Sequence, residues 1–400
     1  MLLKETKIKA LGFRLFAIII SFVFCFFILE LSIRLFFPVS LWNYRDASMD
    51  WQLDTRLGWV QKPNLDVTTR TAQGLQVRFQ TNQDGLTPAT TLRKKNPDVT
   101  RIMIFGDSSV VGRAVPQDKT ITSQLERLLL SRGTSVEVIN AGIEGYSTDQ
   151  ALIRIYQLVP LYNPDIIAYG FCSNDLGGIL VRNDFGISKP VFVFKESGEL
   201  EELSPDLKNS KLRTFGSGPR KWLKHSAVYR LFRPQITLFM AKFMVWELQN
   251  LLGVTQEYYY HPKELERINW KLFTALLKQM EEFTRKSGTK FFFYPHPELA
   301  EVWDPFIKSI EKKHNLKEGE YERYALENYL QNIAKSNSIA FCPVIDYYVA
   351  NKVRGPFHLL PYDPHCNPAG YELTAEVISQ FLVKAAFIPC NPFNSVETNE

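Results

Sequence analysis

Apolar residues follow three regimes along this chain. Residues 15–29 form an unbroken uncharged run rich in Phe, Ile and Leu. From 42 to about 98 the chain is polar, with Lys62-Pro63-Asn64 and Asn82-Gln83-Asp84-Gly85 as turn signals. A weak alternation at 75–79 predicts a small β-hairpin there. From Arg101 onward short apolar runs alternate with helical stripes. They predict strands at 102–105, 136–140, 166–172, 290–294 and 339–343, and helices at 120–130, 148–162, 262–286, 320–335 and 368–385. Strands alternating with helices imply a parallel sheet covered on both faces, a three-layer α/β fold. Regularity lapses from about 178 to 261, a polar stretch (195–217) followed by aromatic, amphipathic material (222–252). This reads as an inserted cap or rim whose apolar residues serve mainly to pack.

The first run is shorter than the roughly 20 residues of a spanning helix. It continues through Leu31-Ser32-Ile33 and Leu35-Phe36-Phe37, interrupted by Glu30 and Arg34. Those two stand four apart on a helix and can pair near the outer interface. Lys4, Lys7, Lys9 and Arg14 precede the run with only Glu5 opposing them, no small-x-small cleavage site follows, and Val23-Phe24-Cys25 is a poor lipobox. The expected organisation is a cytoplasmic tail (1–11), an uncleaved transmembrane signal anchor (12–37), a lead-in with the hairpin (38–98), a main domain (99–388, with 178–261 inserted) and a tail (389–400). The basic flank stays inside, so everything after about Val39 is expected across the membrane.

With 45% hydrophobic and 22% charged residues, 400 residues bury a substantial core. The net charge of +5 is small and dispersed, which leaves no nucleic-acid footprint. Five cysteines show no CxxC pair and no His/Cys ligand spacing, so no structural zinc is expected. Cys172 and Cys342 fall in predicted strands as small core residues. Cys366 and Cys390 can pair in an oxidising compartment, a connectivity the sequence leaves open.

Candidate chemistry gathers at the ends of the predicted strands. Residues 101–112, RIMIFGDSSVVG, place Ser108 just past a strand, where open α/β sheets bind ligands. Gly142 and Gly145 follow the second strand, Ser173-Asn174-Asp175 the third, and Asp363-Pro364-His365 precedes the last helix. Acyl transfer needs a nucleophile, a base, an acid to orient the base, and oxyanion donors. Ser108, His365 and Asp363 can fill the first three roles. The Ser108 N–H, the Gly145 N–H and the Asn174 amide can form the oxyanion hole. Asp107 is read as fixing the turn, Glu144 as an exposed loop carboxylate, and His296 as a supporting or surface residue. His358 lies near the catalytic loop without an acid at useful spacing.

The blocks FGDSSVVG, NAGIEG, CSND and DPHCNPAG resemble those of the SGNH (GDSL) hydrolases across roughly residues 99–388, in the manner of membrane-anchored bacterial envelope members. The resemblance implies a flavodoxin-like sheet of order 2-1-3-4-5 and serine ester hydrolysis or acyl transfer without metal or cofactor. It carries the nucleophile onto Ser108, the oxyanion residues onto Gly145 and Asn174, and the base onto His365. Two departures stand out: Asp363-Pro364-His365 replaces the usual Asp-x-x-His, and Cys172 replaces the glycine of Gly-x-Asn-Asp. The expected substrate is an O-acetyl group of envelope polysaccharide, with the catalytic domain periplasmic or on the outer face of the inner membrane. A lipid or lysophospholipid esterase and a non-catalytic polysaccharide-binding or assembly protein are the alternatives; no nucleic-acid partner is expected.

Overall fold

Alternation within the central strands decides which helices cover which face. The computed structural model describes residues 2–36, 50–71, 75–210, 226–229, 231–232, 265, 268–317, 320–359 and 364–389. The chain opens with helix α1 (Leu2–Phe36), followed by antiparallel hairpins β1 (Trp51–Asp54)–β2 (Gly58–Gln61) and β3 (Asp66–Arg70)–β4 (Gln76–Gln80). The main domain runs β5 (Thr100–Gly106), α2 (Ser108–Val111), α3 (Ile121–Ser131), β6 (Val136–Asn140), α4 (Thr148–Tyr162), β7 (Ile166–Phe171) and α5 (Asn174–Gly178). Short hairpins β8 (Asn183–Asp184)–β9 (Ile187–Ser188) and β10 (Val191–Phe194)–β11 (Leu200–Leu203) follow. The chain then continues as α6 (Trp270–Lys286), β12 (Lys290–Pro295), α7 (Leu299–Val302), α8 (Asp304–His314), α9 (Ala325–Ser336), β13 (Ala340–Phe341), α10 (Ile345–Ala350) and α11 (Pro368–Lys384).

The five-stranded sheet is ordered β6–β5–β7–β12–β13 with every pairing parallel. Numbered within the sheet this is 2-1-3-4-5, so the three-layer α/β expectation holds. Met103, Phe105, Ile167, Tyr169 and Phe293 pack with α4, α6 and α9, whereas Ile102, Ile104, Ala168, Phe292 and Tyr294 pack with α3 and α11. Successive residues point to opposite faces of a strand, so both faces bury apolar side chains and the strands read as continuous apolar runs. Because the chain leaves β5 in one direction to β6 and returns on its other side at β7, a crevice opens between the β5 and β7 ends.

The lead-in is part of this body. Trp51, Leu57 and Trp59 join the same core cluster as Met103 and Phe105. The buried Arg101 guanidinium donates to the carbonyls of Leu92 and Arg93, each at 2.9 Å, and pairs with Glu137 at 2.8 Å, pinning the lead-in to the sheet. Such a network satisfies a buried cation that would otherwise be costly.

Within α1, Phe13–Phe36 is long and apolar enough to cross a membrane, and its large apolar side chains are exposed except Ile33, which is buried. Glu30 pairs with Arg34 at 2.7 Å as the spacing predicts. Its carboxylate also accepts from Ser226 Oγ and Ala227 N, both at 2.7 Å, and Val228 N at 3.0 Å, tying α1 to the insertion.

Several expectations need correction. The stretch from 178 begins with two regular hairpins, whose two- to four-residue strands are too short for a periodic signal. The lead-in holds two hairpins rather than one. Helices α7, α8 and α10 stand where the periodicity predicts none, α9 starts at Ala325, and β13 is only two residues long. Most of 222–252, the start of 262–286, Asp363 and Cys390 lie outside the described residues.

Candidate active site

Ser108 opens α2, a single turn begun by Asp107, whose Oδ1 accepts from Ser109 N at 2.8 Å. That acceptor satisfies one of the orphan donors at a helix start and so sets the turn. The turn sits close over the sheet because Gly106 pairs with Gly170 on β7. A Cβ on Gly106 would come within 2.6 Å of both Gly170 O and Val110 Cγ2. The pair of glycines at the ends of β5 and β7 therefore makes room for the serine-bearing turn.

His365 Nε2 lies 2.7 Å from Ser108 Oγ. The histidine enters from the segment before α11, held by Leu359 N donating to His365 O at 2.9 Å and by an antiparallel bridge between His358 and Cys366. Asn367 caps α11 by accepting from Gly370 N at 3.0 Å, which fixes where the helix begins and so where the histidine stands.

The second block is tied to the same turn. Asn140 Nδ2 donates to Val110 O at 2.7 Å, and Ile143 N donates to Gly106 O at 3.1 Å. Gly145 adopts φ +74°, a region that favours glycine, and a Cβ there would lie 2.2 Å from Phe185 Cε2. The third block brings Asn174 to the nucleophile turn, its Nδ2 donating to Asp107 Oδ2 at 3.2 Å. An amide NH2 carries two hydrogens, so one remains for a second acceptor.

The departure at Cys172 has a visible result. Its thiol lies 3.1 Å from Ser109 Oγ and 3.5 Å from Asp107 Oδ1, and burial, with Asp107 nearby, pushes the thiol well above its ordinary range. It packs as a neutral group beneath the turn. Asp175, also pushed up by burial, accepts from Tyr169 OH at 2.8 Å and Cys172 N at 3.0 Å.

Other residues differ from the sequence reading. Glu144 is not an exposed loop carboxylate: it is largely buried, 3.4 Å from Arg113 Nε and within 3.4 Å of Trp51 Nε1. Arg113 in turn pairs with buried Asp50 at 2.5 Å, so a charged chain from the lead-in holds the Gly142–Gly145 loop. His296 takes the supporting one of its two expected places, buried with Nε2 3.4 Å from Tyr294 OH. Burial holds its pKa down to about 4 despite the attraction of Asp107. His358 is buried with Nε2 3.0 Å from Pro297 O. Glu298, unnoticed in the sequence, accepts from Ser173 N at 2.8 Å and thereby orients the third block; its Glu-x-x-Glu capping box at the start of α7 is the signal that was there to find. Phe185, in the described part of the insertion, packs against Trp51 and Trp59 with ring centroids 5.4 and 5.8 Å away.

Serine, histidine and an aligned amide at one crevice form an arrangement able to transfer acyl groups. No family model matches the chain. An arylesterase from Vibrio mimicus is 33% identical over 103 residues, 24% of this chain and 50% of the relative. The chain thus spans about half the length of the curated relative it matches. Among solved structures, the acetyl xylan esterase AlAXEase is 14% identical with a TM-score of 0.38, covering 71% of this chain and 100% of its own. A member of the lipolytic G-D-S-L family from Veillonella parvula is 12% identical with a TM-score of 0.35, covering 70% and 97%. The blocks, the parallel sheet and the serine–histidine contact are consistent with the SGNH hydrolase family.

Proposed function

We propose that the chain is a membrane-anchored serine esterase or acyltransferase that acts on O-acetyl groups of extracytoplasmic polysaccharide through an acyl-enzyme. The observation that carries this reading is the 2.7 Å contact between His365 Nε2 and Ser108 Oγ. His365 takes the Ser108 proton as Oγ attacks the ester carbonyl carbon, and Asp363 orients the imidazole from its other nitrogen. The developing oxyanion is met by the Ser108 N–H, the Gly145 N–H and the Asn174 hydrogen left over from Asp107. Each such donor is worth about 3 kcal/mol in the transition state. The tetrahedral adduct expels the sugar alkoxide, which takes the proton from His365. Water or an acceptor hydroxyl then attacks the Ser108 ester, with His365 again as base.

The anchor reading rests on Phe13–Phe36 and on the basic residues Lys4, Lys7, Lys9 and Arg14 that precede it. Basic residues stay on the cytoplasmic side, so the catalytic domain faces outward. Hydrolysis of p-nitrophenyl acetate by the full chain in detergent tests the chemistry. Turnover that falls to background in Ser108→Ala supports it, and wild-type protein with no turnover contradicts it. A C-terminal alkaline phosphatase fusion tests the orientation: an active fusion supports it and an inactive one contradicts it.

A further inference from the structure

A second cleft lies on the same side of the sheet, next to the segment that carries the histidine. It measures about 470 Å³, within the range of small-molecule sites, and is lined by Val302, Trp303, Asp304, Lys352, Phe357 and His358 among others. Its floor is coupled to the catalytic segment: His358 pairs in an antiparallel bridge with Cys366, and Leu359 N donates to His365 O. Paired strands lie about 5 Å apart, so His358, one residue of the lining, stands one strand spacing from the segment that carries His365.

The lining has two characters. Walls of Val302, Pro305, Pro356 and Phe357 are apolar, and Trp303 leaves 36% of its surface exposed. The indole stacks on Phe306, rings 17° apart and centroids separated by 6.5 Å, so it is held as a platform. At the rim Asp304 is fixed by an ion pair with Arg323, which also holds its carboxyl below the usual carboxylate range. Lys352 Nζ stands 3.6 Å from the same carboxylate and is well exposed. An exposed aromatic platform beside a fixed acceptor and an exposed donor suits a molecule with an apolar face and a ring of hydroxyls. An acyl chain gains nothing from the ion pair and would have to desolvate it.

We propose that the Trp303–Asp304–Lys352 cleft is a subsite for a sugar ring of the acylated glycan, holding the chain while an O-acyl group reaches Ser108. The ring lays its apolar face on the indole and its hydroxyls against Asp304 and Lys352. This assignment rests on the reading of Ser108 as an acyl-accepting nucleophile and adds the position of the carbohydrate.

The test compares kcat/KM for acetylated xylo-oligosaccharides with kcat/KM for p-nitrophenyl acetate, using the full chain in detergent. In Trp303→Ala the ratio falls about tenfold, mainly through KM, which is the loss of roughly one good contact. Trp303→Phe keeps most of it. Lys352→Ala, too exposed to disturb folding, lowers the ratio about threefold. Unchanged ratios in both alanine variants overturn the proposal, as does a wild type that turns over p-nitrophenyl acetate but no acetylated oligosaccharide. A selective loss of long-chain p-nitrophenyl esters in Trp303→Ala overturns it in favour of an acyl pocket. A wild type inactive on every ester defeats the esterase reading itself, and the subsite falls with it.

Discussion

Asp107 Oδ2 accepts a hydrogen bond from Asn174 Nδ2 at 3.2 Å, while its other oxygen accepts from Ser109 N at 2.8 Å. One buried carboxylate thus joins the turn that carries Ser108, after β5, to the amide that follows β7. Asp107→Ala releases both. If Asn174 is the oxyanion donor proposed above, its misplacement costs about a hundredfold in kcat, with KM for p-nitrophenyl acetate nearly unchanged. A rise in KM alone would show that the bond serves substrate binding instead.

This pair also marks how far the sequence could be read. Strand β6 and helix α4 were legible to the residue, because Val136–Asn140 and Thr148–Tyr162 are each bounded by Gly, Asn or Pro turn signals and have strand and helix length. Ser108, Gly145 and Asn174 stood out after strand ends, and His365 in the loop before the last helix. What joins them was not legible: the Asp107–Asn174 bond exists because β5 and β7 are neighbours, which local spacing does not encode. Glu144 looked exposed because its partners Arg113 and Trp51 come from distant segments. The hairpins after α5 were missed because two-residue strands have no period to detect.

Gly145→Ala is expected to abolish most activity. The new methyl would sit 2.2 Å from Phe185 Cε2, and φ +74° disfavours any side chain. Overpacking of this kind costs about 1–3 kcal/mol. Adding Phe185→Ala removes the clash but not the backbone strain, so the double variant should recover part of the lost kcat/KM. Full activity in Gly145→Ala alone would remove this loop from the oxyanion site.

Lys189 and Asp149 form a buried ion pair at 2.7 Å, anchoring the chain just after β9 to the first turn of α4. Lys189→Met leaves the carboxylate buried and unpaired, and breaking such a pair costs about 3–5 kcal/mol. Adding Asp149→Asn should restore most of that loss, because Ser147 and Gln150 remain able to satisfy the amide oxygen. Urea midpoints for the two variants report this directly. Equal losses in the single and double variants would show that the charge pairing is not what matters.

His296 makes stability depend on pH. Burial lowers its pKa from 6.5 to about 4, so between those values the unfolded chain binds a proton that the folded chain refuses. Stability from this residue is complete above pH 6.5 and is lost as pH falls toward 4, by about 3 kcal/mol in all. Glu327, pushed up from 4.5 to about 7 by burial, acts oppositely, holding a proton in the folded state that the unfolded chain releases. The informative quantity is therefore the difference in unfolding free energy between wild type and His296→Asn. It should rise with pH from 4 to 6.5 and then level off; a flat difference would mean that the fold leaves the imidazole unshifted, and a difference that falls with pH that the fold holds it protonated.

The central claim is that Ser108 accepts the acyl group with His365 as its base. Incubation of the full chain with a fluorophosphonate, followed by peptide mass spectrometry, tests it most directly. The account predicts a single adduct on Ser108, at a rate reduced at least a hundredfold in His365→Ala. An adduct on Ser109, or labelling of Ser108 that is unaffected by the loss of His365, would contradict it.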